Sequence, residues 1–229
     1  MHIAGLQKMT LLDFPQRIAC TVFLPDCNLR CPFCHNASLV LRPGEQPMLE
    51  QEELLTFLQG RKRKLDGVCI TGGEPTLHKD LPELIRSIKN MGFQVKLDTN
   101  GSDPEMLSSL LNESLLDYAA MDIKNSPERY CNTCGGVDIL PQVKESAKLL
   151  MNSKIDYEFR TTVCHPFHDA EAIRSIAQWL KGAKQYFLQA FVDSGDLIGQ
   201  GLYALTAEEM DTLRQAALPY IPNTHIRGI

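Results

Sequence analysis

Three cysteines stand at C-x3-C-x2-C spacing in the run Cys27-Asn28-Leu29-Arg30-Cys31-Pro32-Phe33-Cys34-His35-Asn36. Thiolates gathered in one Pro-containing loop are the usual ligands of structural zinc and of iron-sulfur clusters. A closed zinc site needs a fourth ligand, and His35 adjoins Cys34 too closely to reach the same ion with ease. The spacing more naturally supports a cuboidal four-iron cluster with one iron left open, to which a substrate or cofactor can bind through its amine and carboxylate. Further along the chain stand Gly72-Gly73-Glu74, Asp98-Thr99-Asn100, the pair Asp122 and Lys124, Arg160 and Gln189. These are residue types that hold ligands and charges.

The pattern of apolar residues predicts the elements that position them. Strand character over 18–24, 67–71, 94–98, 118–123, 157–163 and 185–191 alternates with helical periodicity over 49–58, 81–91, 104–111, 140–151, 170–180 and 207–217. Thr206 and Glu209 form a capping box for the last helix. Six strands each followed by a helix imply parallel βαβ units with right-handed crossovers, in an open doubly wound sheet or a barrel. The cysteines follow the first strand, Gly72-Gly73-Glu74 the second, Asp98-Thr99-Asn100 the third, and Asp122 and Lys124 the fourth, while Arg160 and Gln189 lie within the fifth and sixth. Ligands bind at the carboxyl edge of such sheets, so one site fed by all six strands is expected.

With 229 residues, 44% hydrophobic and 22% charged, the chain has the composition of a globular protein and reads as a single domain over residues 1–229. A formal charge of −5 argues against holding nucleic acid by phosphate neutralisation. No run approaches the ~18 apolar residues of a membrane span, and the N-terminus lacks a basic segment followed by an apolar one, which points to a cytoplasmic protein without membrane contact. Eight cysteines in such a chain favour metal or redox chemistry over a disulfide framework. Of the others, Cys20 and Cys69 fall in strand patterns and read as core. Cys131 and Cys134 form a C-x2-C without the second pair of a zinc ribbon, and Cys164 with His165 and His168 reads as core or rim. Arg61-Lys62-Arg63-Lys64 reads as a solvated helix end.

Cys27-x3-Cys31-x-Phe33-Cys34, followed by Thr71-Gly72-Gly73-Glu74-Pro75, resembles the radical S-adenosylmethionine (SAM) superfamily. Cys34-His35-Asn36, Asp98-Thr99-Asn100-Gly101 and Asp122-Ile123-Lys124 narrow the resemblance to the glycyl radical enzyme activases. Leu12-Asp13-Phe14-Pro15 is similar to the anaerobic ribonucleoside-triphosphate reductase activating proteins. The resemblance implies an α/β fold, a partial (β/α)6 barrel of parallel strands. In it Cys27, Cys31 and Cys34 hold one 4Fe-4S cluster and SAM chelates the unique iron. Phe33 would lie against the adenine, Gly72, Gly73 and Glu74 would meet the methionyl amino group, and His35 would be a further cofactor contact. A monovalent cation, Na or K, is implied beside the SAM carboxylate, held by Asp98, Thr99, Asp122 and a carbonyl near Ala120. Lys124 would face the SAM carboxylate or ribose, with Arg160 alongside. Gln189 stands where the activases often place a His on the sixth strand.

The function so implied is reductive cleavage of SAM to a 5′-deoxyadenosyl radical that takes a hydrogen from a glycine of a partner. That partner is expected to be the class III ribonucleotide reductase, with flavodoxin or ferredoxin as electron donor. Six units leave a lateral gap through which a peptide loop could reach the site. Two rival readings are a radical SAM enzyme acting on a small molecule, as 7-carboxy-7-deazaguanine synthase does, and a non-catalytic iron-sulfur or zinc redox protein.

Overall fold

The computed structural model describes residues 1–229. Two strands absent from the sequence reading, β1 (His2–Ile3) and β2 (Gly5–Thr10), precede β3 (Ala19–Leu24), from whose end the cysteine loop runs into a short helix, α1 (Ala37–Leu41). Leu49 and Glu50, expected as the start of a helix, instead form β4 (Leu49–Glu50), antiparallel to β1. Glu50 then caps α2 (Gln51–Gln59) in a reciprocal capping box with Glu53, which is why the helix starts at Gln51.

From there the expected alternation holds, with ends shifted by a residue or so: β5 (Gly67–Gly72), α3 (Leu81–Asn90), β6 (Gln94–Thr99), α4 (Pro104–Asn112) and β7 (Tyr118–Asp122). A four-residue helix, α5 (Tyr130–Thr133), intervenes before α6 (Leu140–Met151), β8 (Asp156–Val163), α7 (Ala170–Trp179), β9 (Tyr186–Ala190) and α8 (Ala207–Ala217). The Thr206–Glu209 capping box is present. The chain closes on an unforeseen strand, β10 (Thr224–Arg227).

The main sheet runs β10-β9-β8-β7-β6-β5-β3-β2. All neighbours are parallel except β2, which lies antiparallel to β3. The six expected units form its centre. Its outer strands, β2 and β10, do not pair with each other, so the barrel is partial. The helices cover its outside through apolar stripes such as Leu81, Leu84, Ile85 and Ile88 of α3, which pack with Val68, Ile70, Val95 and Leu97 into one contiguous core. Cys20 in β3 and Cys69 in β5 are fully buried, as their strand positions imply, and so is Cys164 just past the end of β8.

Because strand side chains alternate, the residues between those apolar ones face inward, and the inner face is polar: Thr21, Lys96 and Glu158 are all buried. Phe14 closes the amino-terminal end of the barrel. Its ring packs tilted on Tyr118 at 6.1 Å between centroids and lies against Gly67 at the start of β5. Asp13 accepts a hydrogen bond of 2.5 Å from Thr21. The Leu12-Asp13-Phe14-Pro15 segment is thus a plug at the end opposite the site. No helix is long and apolar enough to cross a membrane.

Candidate functional site

At the carboxyl ends of the strands lies a polar, solvent-open cleft, where parallel sheets bind their ligands. Cys27, Cys31 and Cys34 line it with Phe33 and His35; Gly72, Gly73 and Glu74 line the wall beside them. Asp98, Thr99, Asp122, Lys124, Arg160 and Gln189 complete it. Parallel strands project their carboxyl ends to one side, so residues separated by most of the chain meet there.

The cysteine loop is set against the turn after β5. Asn36 donates from Nδ2 to the carbonyl of Gly72 at 2.9 Å; the amides of Gly73 and Glu74 donate to the carbonyls of Leu24 and Asp26 at 2.8 and 2.7 Å. Gly72 has φ +126°, and a Cβ there would fall 2.1 Å from the Leu24 oxygen. A Cβ on Gly73 would fall 1.7 Å from that of Asp26. These glycines are required by the crossing of two backbones as well as by any ligand.

Burial pushes the Cys27 thiol up to about 11 and raises Cys34 as well. Cys31 is instead lowered, chiefly through the neighbouring Cys134 thiol, with Lys124 adding to the effect. The Cys31 thiol is therefore the readiest to ionise, as metal binding demands. Cys134 is buried, and the carbonyl of Cys134 accepts from the Arg30 amide at 3.3 Å. No three His, Cys, Asp or Glu side chains stand close enough to share one metal ion, Cys27, Cys31 and Cys34 included; in a four-iron cluster each thiol would hold a different iron.

Phe33 is buried edge-on between Phe167 and His168, at 5.9 and 5.6 Å. His35 stacks on Phe191 at 5.6 Å, and burial lowers its basicity. Its Nε2 is buried without a hydrogen-bond partner in the protein, an unmet polar atom that a bound ligand would satisfy. Glu74 is fully buried. Its Oε1 accepts from the Thr76 amide, the Thr76 hydroxyl and the Thr99 hydroxyl at 3.1, 2.6 and 2.7 Å, and its Oε2 accepts from the Asn100 amide at 2.6 Å. Burial raises its pKa, and these donors only partly oppose the rise. Glu74 therefore ties the turn after β5 to the end of β6.

A ladder of charges crosses the floor of the cleft. Lys96 donates to Oδ1 of Asp98, and Arg160 donates to Oδ2 of Asp98 at 3.1 Å and to Oδ1 of Asp122 at 2.9 Å. Lys124 donates to Oδ2 of Asp122 at 3.1 Å. Burial alone would push both carboxyls up, but Arg160, with Lys96 or Lys124, more than offsets it and holds them below the usual carboxylate range. Thr99 donates to Glu74 and accepts from the Gly101 amide at 3.0 Å.

Three thiols in one cavity, beside an unpaired imidazole nitrogen and a net positive ladder, suit a cysteine-ligated cluster carrying a zwitterionic ligand. The donor set implied for a monovalent cation does not fit. Each oxygen of Asp98 and Asp122 already accepts from a protein cation, and the Thr99 hydroxyl is engaged on both sides. Sequence reasoning did not place Lys96 in the site, although it stands two residues before Asp98 on the same strand and therefore on the same face. Nor did it give roles to Asn36 and Asn100. Asn100 bonds the Asn28 side chain at 3.0 Å and so ties the end of β6 to the cysteine loop.

The radical SAM superfamily profile matches residues 21–180. The chain is 32% identical over 236 residues to a Methanocaldococcus jannaschii protein named as a candidate glycyl-radical enzyme activating enzyme, covering 99% of this chain and 96% of that one. In solved structures it resembles Streptococcus suis SuiB bound to the precursor peptide SuiA, with a TM-score of 0.73 and 16% identity over 95% of this chain and 50% of that one. It also resembles QueE from Escherichia coli, with a TM-score of 0.61 and 17% identity over 98% and 92%. The fold is common to all of these, while the likeness in sequence extends over nearly the full length of the M. jannaschii protein. With its cysteine loop and glycine turn joined at one strand edge, the chain belongs to the radical SAM superfamily and, within it, to the glycyl-radical enzyme activating enzymes.

Proposed function

We propose that this enzyme installs a glycyl radical on a partner, the class III ribonucleotide reductase, within the cytoplasm, and that residues 1–229 act as one domain. The observation that carries the reading is the meeting of Cys27, Cys31 and Cys34 with the 72–74 turn in one cleft, in a chain similar from end to end to a relative named for glycyl-radical activation. Superfamily membership implies a 4Fe-4S cluster and SAM. When bound and reduced by one electron from flavodoxin or ferredoxin, these supply a 5′-deoxyadenosyl radical able to take a hydrogen atom from a glycine Cα.

The chain's own residues place and shelter the reactants. Cys27, Cys31 and Cys34 serve as the cluster ligands, while Phe33 and His35 flank the adenosyl moiety. The backbone of Gly72 and Gly73, braced by Glu74 through Thr99 and Asn100, receives the methionyl amino group. Lys124 and Arg160 face its carboxylate, and Gln189 offers an amide from β9. The outer strands β2 and β10, which do not pair with each other, leave the side opening that a glycine-bearing loop needs.

The test is anaerobic incubation of the reconstituted protein with SAM, a strong reductant and the class III reductase of the same cell. Formation of 5′-deoxyadenosine together with a glycine-centred doublet in the partner's electron paramagnetic resonance spectrum is expected. A doublet on another glycyl radical enzyme and none on the reductase would refute the partner. SAM cleavage with conversion of a small metabolite, and no protein radical on any candidate, would refute the activation itself.

A further inference from the structure

Lys96 is 2% exposed, inside the barrel and beneath the cleft. An ammonium group is costly to bury and persists there only when paired. Its Nζ donates to Oδ1 of Asp98 and lies 3.8 Å from the Cys69 sulfur and 6.0 Å from the centroid of the Tyr118 ring. Asp98 holds it charged against the effect of burial.

Its place in the ladder decides the local charge. Arg160 and Lys124 on their own would just balance Asp98 and Asp122, and a ligand carboxylate arriving there would meet no net attraction. With Lys96 included, three cations face two carboxylates and one positive charge is left over. Of the other buried acids, Glu158 is matched separately by Arg227 at 3.0 Å, and Glu74 accepts only from Thr76, Thr99 and Asn100 and pairs with no cation of the ladder, so the surplus stays on the ladder. The four oxygens of Asp98 and Asp122 are all occupied by N–H donors. A small metal cation reaching them would lie against a guanidinium or an ammonium already bound there, and like charges repel.

We propose that Lys96 provides, through Asp98 and Arg160, the extra positive charge that draws in the SAM carboxylate, so that this enzyme binds SAM without a monovalent metal cation. Lys96 acts as a positioning residue: it neutralises one end of Asp98 and leaves Arg160 and Lys124 free to share their charge with the ligand. The inference rests on reading the cleft as the SAM site.

The experiment measures SAM dissociation constants by equilibrium dialysis on cluster-reconstituted protein at constant ionic strength, with tetramethylammonium, Na or K as the sole monovalent cation. The wild-type constant is expected to agree within about twofold in all three. Lys96→Met is expected to weaken binding about tenfold in tetramethylammonium, a difference of about 1.4 kcal/mol, and to regain most of it in Na or K, because the freed oxygen of Asp98 becomes available. Lys96→Arg, which keeps the charge, should stay indifferent to the cation.

A wild-type affinity that rises about tenfold and saturably with Na or K would overturn the proposal, and this arm does not depend on any variant folding. Equal affinities for wild type and Lys96→Met in tetramethylammonium would overturn it too. Wild-type protein that retains its iron yet binds no SAM in any buffer would instead defeat the reading of the cleft itself.

Discussion

Gly73 stands so close to Asp26 that a methyl group on it would lie 1.7 Å from the Asp26 carbonyl oxygen. The turn leaving β5 crosses the backbone leaving β3 at this point, and the cysteine loop starts from the same backbone. Gly73→Ala must therefore push the two segments apart. Strain of this kind costs about 1–3 kcal/mol, which in a chain of this size lowers Tm by roughly 2–12 °C. Thermal unfolding of the cluster-free protein checks it. An unchanged Tm with full iron binding would show that the crossing is looser than the structure has it.

The Cys134 thiol lowers the pKa of Cys31 although only Cys31 belongs to the ligand motif. Cys31→Ala should abolish binding of about four irons per chain. Cys134→Ser, alone or with Cys131→Ser, should leave the iron count intact, while Cys134→Ala, which removes the donor, should shift the reactivity of Cys31 toward a thiol-alkylating reagent in the cluster-free protein to higher pH. Loss of several irons from the Cys131/Cys134 double variant would reveal a second cluster there.

Glu158 is 1% exposed and accepts from Arg227 at 3.0 Å and from the Tyr118 hydroxyl at 2.9 Å. Arg227→Leu strands that carboxylate, for a loss of about 1–3 kcal/mol. Glu158→Gln in the same background should recover part of it, since a neutral amide is less costly to leave unpaired. Urea titration of the four proteins closes the cycle. Strictly additive effects would mean that the pair does not interact.

The carboxyls of Asp98 and Asp122 lie below their ordinary range in the folded protein. A group depressed in this way adds stability that is complete above its unfolded value near 3.9 and is lost as pH falls toward the folded one. Unfolding free energy should therefore decline steadily below about pH 5. Asp122→Asn should be less stable at pH 7 and show a shallower decline. A variant slope as steep as that of the wild type would remove Asp122 from the acid-sensitive set.

The residues themselves announced the cysteine loop, the glycine turn and the acids and bases at later strand ends, because parallel βα units bring consecutive strand ends to one edge. Apolar stripes such as 81–88 announced the helices, because a helix on a sheet must bury one face. Other features lay beyond sequence pattern for a common reason. β2 carries a run of exposed residues, Gln7 to Met9, and β10 is only four residues long, so only pairing on β3 and β9 reveals them as strands. Phe14 looked like part of a motif and proved to be the plug of the barrel. Lys96 and Asp98 could be seen to share a face, but Arg160, which joins Asp98 to Asp122, comes from 62 residues further on. Glu74 likewise finds its donors 25 and 26 residues away. Local pattern determines which residues reach the edge of the sheet; which of them neutralise one another depends on the distances between strands, and only the folded chain sets those.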